Sequence, residues 1–187
     1  MEKVVVVGID ISKDDIHACV KESVGGGVSR IRGTRKFLNS YIGFTELQYW
    51  VSKRAREAGS VCYVMEATGS YYENPAYFLH ENRLKVSVVP ANKIKYYAES
   101  QNLKTKTDKV DACLIADFGL SQKPSFWQPM SCDYKQLRDL CRERISLKQA
   151  RSRAKCQLDA MHHSHDKLAS ILHIKEEQIA LYDKLLP

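Results

Sequence analysis

Asp10, Glu66, Asp108 and Asp111 are the residues in this sequence best suited to chemistry. Asp10 closes the apolar run Val4-Val5-Val6-Val7-Gly8-Ile9, and Glu66 closes a second, Val61-Cys62-Tyr63-Val64-Met65, with Ala67-Thr68-Gly69 behind it. Asp108 and Asp111 stand three apart in Lys106-Thr107-Asp108-Lys109-Val110-Asp111-Ala112, on one face of a helical turn. Acids gathered in one place repel unless they share a cation. Mg²⁺, a hard ion that takes oxygen ligands, suits such a set, with Mn²⁺ as its substitute. Two divalent ions about 4 Å apart activate a nucleophile and stabilise the leaving oxygen of a phosphodiester. Taken singly, each acid also reads as a cap or a surface charge, Asp108 above all as a first-turn residue. The four contexts together favour a site.

The elements that must position these acids follow from the apolar pattern. Residues 3–10, 15–22 and 28–37 read as three antiparallel strands, with Gly25-Gly26-Gly27 as a turn. Phe44, Leu47, Val51 and Ala55 recur at helical spacing, which predicts a helix from about 43 to 58, capped by Ser40 or Thr45 and stopped by Gly59. A strand at 61–65, a helix at 73–82 with Pro75 in its first turn, and a short strand from Lys85 to Val89 ended by Pro90 come next. Helices at about 91–99 and 107–120 complete an α/β pattern with a mixed sheet. In such sheets ligands collect outside the carboxyl ends of strands, where Asp10 and Glu66 fall.

The run Gln122-Lys123-Pro124-Ser125-Phe126-Trp127-Gln128-Pro129 breaks the helical pattern. It suggests a domain at 1–123, a linker at 124–132 and a basic long-helix region at 133–187, where residues 133–186 contain neither Gly nor Pro. A heptad frame with Leu137, Leu158, Leu172, Ile179 and Leu186 at one seam position fits most of that region. Leu140, Leu147, Ala154, Met161, Leu168 and Tyr182 occupy the other, and Arg144, Arg151, His165 and Lys175 interrupt the seam. One or two long helices in an imperfect coiled coil or hairpin are expected, a surface on which copies of the chain would form a homodimer or higher oligomer.

Composition bounds the class. Hydrophobic residues make up 44% of the 187, which argues against disorder, and no apolar stretch approaches a membrane span. Six cysteines without a Cys-x-x-Cys pair, and no export signal, predict reduced thiols in the cytoplasm and argue against zinc. The net charge of +7 favours a polyanionic partner. Arg138, Arg142, Lys148, Arg151 and Lys155 belong to one basic cluster, while Lys93, Lys95, Lys104 and Lys106 lead into the acidic pair. With Lys13 beside Asp10, these are the candidate contacts to a phosphodiester backbone. Tyr71, Tyr72, Tyr96 and Tyr97 could stack on bases, though packing is the commoner role at helical positions. His162, His163 and His165 are expected to face solvent.

Three segments carry a resemblance. Gly8-Ile9-Asp10-Ile11-Ser12-Lys13, Met65-Glu66-Ala67-Thr68-Gly69-Ser70-Tyr71-Tyr72 and Lys104-Thr105-Lys106-Thr107-Asp108-Lys109-Val110-Asp111-Ala112 resemble the amino-terminal domain of DEDD insertion-sequence transposases, the family of the Piv invertase and the bridge-RNA-guided recombinases. The likeness spans residues 3–120 with the motifs in order, and the basic helical region also fits. It implies an RNase H-like, RuvC-like fold in which Asp10, Glu66, Asp108 and Asp111 are the catalytic, Mg²⁺-binding tetrad. It implies work on DNA during transposition or inversion, with a structured guide RNA as a further partner, in the nucleoid-associated cytoplasm of a prokaryote. In that family a carboxy-terminal domain supplies a nucleophilic serine. No serine here matches it, so this chain is expected to be truncated before that domain and incomplete for strand exchange.

Three other readings use the same residues. A stand-alone junction-resolving nuclease would have the same acids with hydrolytic chemistry, but the Glu-Ala-Thr-Gly and Thr-Asp-x-x-Asp-Ala contexts favour the transposase. An actin-like nucleotide-binding protein would need a second Gly-rich phosphate loop, which the sequence lacks. A non-catalytic nucleic-acid-binding or dimerisation module would leave the acids idle.

Overall fold

The computed structural model describes residues 3–25, 28–55, 58–102, 107–166 and 168–186. Its elements run β1 (Val4–Ile11), β2 (Asp15–Gly25), β3 (Val28–Leu38), α1 (Tyr41–Arg54), β4 (Ser60–Glu66), α2 (Glu73–Glu81), β5 (Lys85–Val89), α3 (Ala91–Ser100), α4 (Asp108–Gln122), α5 (Cys132–His162) and α6 (Ala169–Leu185). The five strands form one sheet in the order β3-β2-β1-β4-β5. The pairs β3–β2 and β2–β1 are antiparallel, while β1–β4 and β4–β5 are parallel. This is the RNase H-like mixed sheet flanked by helices that the sequence led us to expect.

Alternation along the strands sorts the core into two layers. Val5, Val7, Ile9 and Ile11 of β1, with Tyr63 and Met65 of β4, pack with Phe44, Leu47, Trp50 and Val51 of α1 and Ala76, Phe78 and Leu79 of α2. Val6 and Val64 point the other way and pack with Ile94 of α3 and Leu114, Ile115, Ala116 and Phe118 of α4. The central strands are thus covered on both faces, which is why they read as continuous apolar runs. Two glycines let α4 sit close. A Cβ on Gly8 would lie 2.2 Å from the Ala112 carbonyl oxygen, and one on Gly119 would lie 2.7 Å from Val6 Cγ1.

Helix α1 begins at the Ser40 cap, whose hydroxyl accepts from the Gly43 N–H, but it ends at Arg54, short of the expected stop at Gly59. The cap is Ala55, whose N–H reaches the Val51 carbonyl, and Gly59 instead donates to the Lys3 carbonyl at the entry to β4. Glycine there serves the strand, not the helix.

The chain divides after Pro129 into two compact units. In the first, residues leading up to that boundary lie along β5. The Trp127 N–H donates to the Val86 carbonyl at 2.7 Å, and Ser87 Oγ donates to the Pro124 carbonyl at 3.2 Å. In the second, α5 and α6 pack together as a hairpin. Leu147, Leu158, Met161, Leu172, Ile179 and Tyr182 are half-buried and Ala154 is buried, at the heptad positions expected, and Arg151 bonds Asp183 across the pair at 2.9 Å. Leu168 departs from that frame as the exposed cap ahead of α6, and Leu137 and Leu140, 56% and 69% exposed, depart from it along α5. For these two the reason is length: α6 has 17 residues against 31 in α5 and cannot cover its first half. Among the described residues no helix is long and apolar enough to cross a membrane.

Candidate active site

The same strand alternation delivers the acids to one place. Asp10 follows Val6 and Gly8 onto the α4 face of β1, and Glu66 follows Val64 onto that face of β4. The parallel pairing of Ile9 with Met65 sets the two carboxylates side by side at the carboxyl ends of adjacent strands. Helix α4 supplies the other pair from its first turn. Thr107 caps it, its Oγ1 accepting from the Val110 N–H at 3.3 Å while its carbonyl accepts from the Asp111 N–H at 2.8 Å. The amino end of a helix favours acids, so this turn tolerates both charges before any ligand arrives. Thr107→Ala should cost about 1 kcal/mol of stability by removing the cap. It should also loosen the turn that carries both aspartates, and chemical denaturation measures the loss.

All four carboxylates line one pocket of about 970 Å³. Burial, then repulsion from Asp111, Asp108 and Glu66, raises the Asp10 carboxyl to about 6, with His17 pulling the other way. Burial is the larger cause, and the three acidic neighbours add to it. Thr68 Oγ1 donates to Glu66 Oε1 at 3.2 Å, steadying the end of β4. Among the described residues no group of three or more His, Cys, Asp and Glu side chains is drawn in tightly enough to hold a metal ion. The donors themselves, four carboxylates in one pocket, match what Mg²⁺ or Mn²⁺ takes. The fit is therefore one of donor chemistry and of charge that a cation would relieve.

Several lining residues escaped the sequence reading. Cross-strand pairing puts Asp10 opposite His17 and His17 opposite Lys36, a row from β1 through β2 to β3. His17 Nδ1 lies 3.7 Å from Asp108 Oδ2 and 3.8 Å from Asp15 Oδ1. Lys36 Nζ lies 2.7 Å from Asp15 Oδ2, and this hydrogen bond lowers the Asp15 carboxyl below its usual range. The hairpin from Asp10 to Asp15 was legible, and counting its register back from the turn would have found His17. Lys36 needed the second register as well.

The expected basic contacts are scattered. Lys95 lines the acidic pocket with Asn92 on α3. Lys93, on the same helix, lines a separate groove with Tyr96, Tyr97 and Phe118. Lys13 is exposed in the β1–β2 turn, and Lys104 and Lys106 lie outside the described residues. In the second unit Arg142 and Lys148 are exposed on α5, Arg138 bonds Asp139, and Arg151 and Lys155 both approach Asp183. Tyr71 and Tyr96 are exposed, Tyr72 and Tyr97 half-buried, and His162, His163 and His165 face solvent.

An α/β unit whose carboxylates meet at adjacent strand ends defines a class, and sequence comparison gives the family. A transposase family model, that of the IS110 group of DEDD transposases, matches residues 7–164. The chain belongs to this family. It is 34% identical over 139 residues to the pilin gene-inverting protein of Moraxella lacunata, covering 74% of this chain and 41% of that protein. The Moraxella bovis protein of the same name gives the same figures. The chain thus spans about two-fifths of the length of these relatives. Among solved structures, RuvC of Thermus thermophilus aligns with a TM-score of 0.46 at 15% identity, over 65% of this chain and 98% of that one.

Proposed function

We propose that this chain is the acidic half of a DNA recombinase site. Asp10, Glu66, Asp108 and Asp111 hold Mg²⁺, or Mn²⁺ in its place, beside a bound DNA strand. The observation that carries this reading is the convergence of four carboxylates on one pocket, with Asp10 raised by burial and then by the other three. The name of the Moraxella relatives, which states inversion of a pilin gene, and membership of a transposase family support DNA as the substrate. A divalent ion bound there would supply Lewis-acid polarisation of a phosphodiester oxygen.

The residues divide the remaining work. Lys95 on the pocket wall and Lys36 on its rim offset the charge of an incoming phosphate. His17 stands beside Asp15 and Asp108 on the pocket lining, close enough to meet a bound phosphate. Lys13 and Lys93 in the first unit, and separately Arg138, Arg142, Lys148, Arg151 and Lys155 in the second, each give the nucleic acid further basic contacts. The serine nucleophile that completes cleavage and strand transfer comes from a further domain. A structured guide RNA is the second polyanion we assign to the basic surfaces. A second copy of the chain is the partner we assign to the uncovered first half of α5, where Leu137, Leu140 and Ile145 are exposed.

Titration of labelled duplex DNA over a range of salt concentrations tests the substrate. The affinity should fall linearly in a log–log plot, and Lys95→Ala or Lys148→Ala should each lower the slope by about one while weakening binding to every sequence alike. Affinity indifferent to salt would overturn the assignment.

A further inference from the structure

Beneath the acidic pocket, α4 is joined to β2 by a ladder of three contacts. His17, Cys19 and Lys21 alternate onto the α4 side of β2, since Ile16, Ala18 and Val20 face the opposite layer. Helix α4 answers with Asp108, Cys113 and Asp117. His17 Nδ1 lies 3.7 Å from Asp108 Oδ2, the Sγ atoms of Cys113 and Cys19 approach to 2.7 Å, and Lys21 pairs with Asp117. The middle rung exists because of Gly8. It pairs with Cys19 across the β1–β2 ladder, and its missing Cβ lets the backbone of α4 at Ala112 and Ala116 come down on the sheet.

We propose that Cys19 and Cys113 form a redox-modification site, in which a peroxide converts the thiol pair to a disulfide that latches α4 onto β2. The two sulfurs need close by only about 0.7 Å to reach a bonded distance. Cys19 is fully buried and Cys113 half-buried, so the oxidant meets Cys113 first. The Cys113 sulfur attacks one peroxide oxygen, the O–O bond breaks, and water or an alcohol leaves, giving the sulfenic acid. The Cys19 sulfur then attacks Cys113 Sγ, the S–O bond breaks, and the departing hydroxide takes the Cys19 proton as water. Two thiols have then given two electrons and two protons to the peroxide. A reducing thiol reverses the bridge by exchange, as expected of a cytoplasmic sensor rather than a permanent crosslink. The remaining described cysteines are differently placed: Cys62 lies beside Ser87 Oγ, and Cys132, Cys141 and Cys156 are exposed on α5. Because α4 carries Asp108 and Asp111 on its first turn, the bridge fixes the register of that turn against the strand that carries His17.

The test treats the full chain with hydrogen peroxide, alkylates it in denaturant and maps its peptides by mass. It is independent of whether the pocket binds metal or DNA. The Cys19 and Cys113 peptides should be recovered linked, and the oxidised chain should melt about 10 °C higher until dithiothreitol is added. Cys19→Ala and Cys113→Ser should each abolish both effects. The proposal is overturned if peroxide modifies Cys132, Cys141 and Cys156 while Cys19 and Cys113 are alkylated separately. It is equally overturned if the link forms without raising the melting temperature.

Discussion

Gly8→Ala should destabilise the first unit by about 3 kcal/mol and lower its melting temperature by about 10 °C. The added Cβ would fall 2.2 Å from the Ala112 carbonyl oxygen and 2.3 Å from the Ala116 nitrogen. Both atoms belong to the α4 backbone, so no rotamer change makes room and the whole helix must retreat. The retreat costs packing among Val6, Val64, Leu114 and Ile115, all almost fully buried on that face. It also moves Asp108 and Asp111 away from Asp10, so one methyl group in a strand should disturb a site two residues further on. Gly119→Ala should be milder, because its nearest contacts are the side chains of Val6 and Val64, which can shift a little. Differential scanning calorimetry of the two variants checks the order. A Gly8→Ala protein that melts with the parent would contradict the close approach.

Asp10→Asn should have the opposite effect in a chelating buffer and stabilise the chain above pH 6. An aspartate in an unfolded chain ionises near 3.8, whereas Asp10 in the fold is raised to about 6 by burial and by its acidic neighbours. Between those values the folded state holds a proton that the unfolded state has lost. The parent's stability therefore falls as pH rises through the window, and the whole penalty remains above it. Asparagine keeps the shape without the charge, so the variant should match the parent below pH 4 and gain on it up to pH 6. Because Asp10 is partly open to solvent, the gain is about 1–2 kcal/mol, less than the full shift implies. Divalent ions should reverse the order by stabilising the parent and leaving the variant unmoved. Thermal melts at several pH values, with and without Mn²⁺, show both effects.

What could be seen in the sequence was set by local pattern. β1 and β4 announce themselves because strands covered on both faces are largely apolar, β5 does so by its valines ahead of Pro90, and Asp10 and Glu66 mark the ends of the first two. Asp108 and Asp111 follow from helical spacing, while the Thr107 cap that holds their turn emerged only in the structure. His17, Lys36 and Cys19 were harder, since each matters through a partner fixed by sheet register or by the seating of α4. Cys113 was one of six cysteines without a spacing motif until the close seating of α4 over Gly8 placed it by Cys19. Leu137 and Leu140 fit the heptad frame, but the sequence pattern did not reveal that α6 is too short to reach them. Gly59 misled for a related reason: a glycine near the end of a helical pattern also suits the start of a strand.

The claim that four acids form one cation site is tested most directly by calorimetric titration of Mg²⁺ and Mn²⁺ into the full chain at pH 6, compared with Asp10→Asn and Asp108→Asn. The parent should bind either ion saturably and release protons, because a cation among these carboxylates displaces the proton that Asp10 partly retains at that pH. Each variant should lose most of that affinity. Saturable binding that survives both substitutions, or a parent that binds neither ion, would contradict the account.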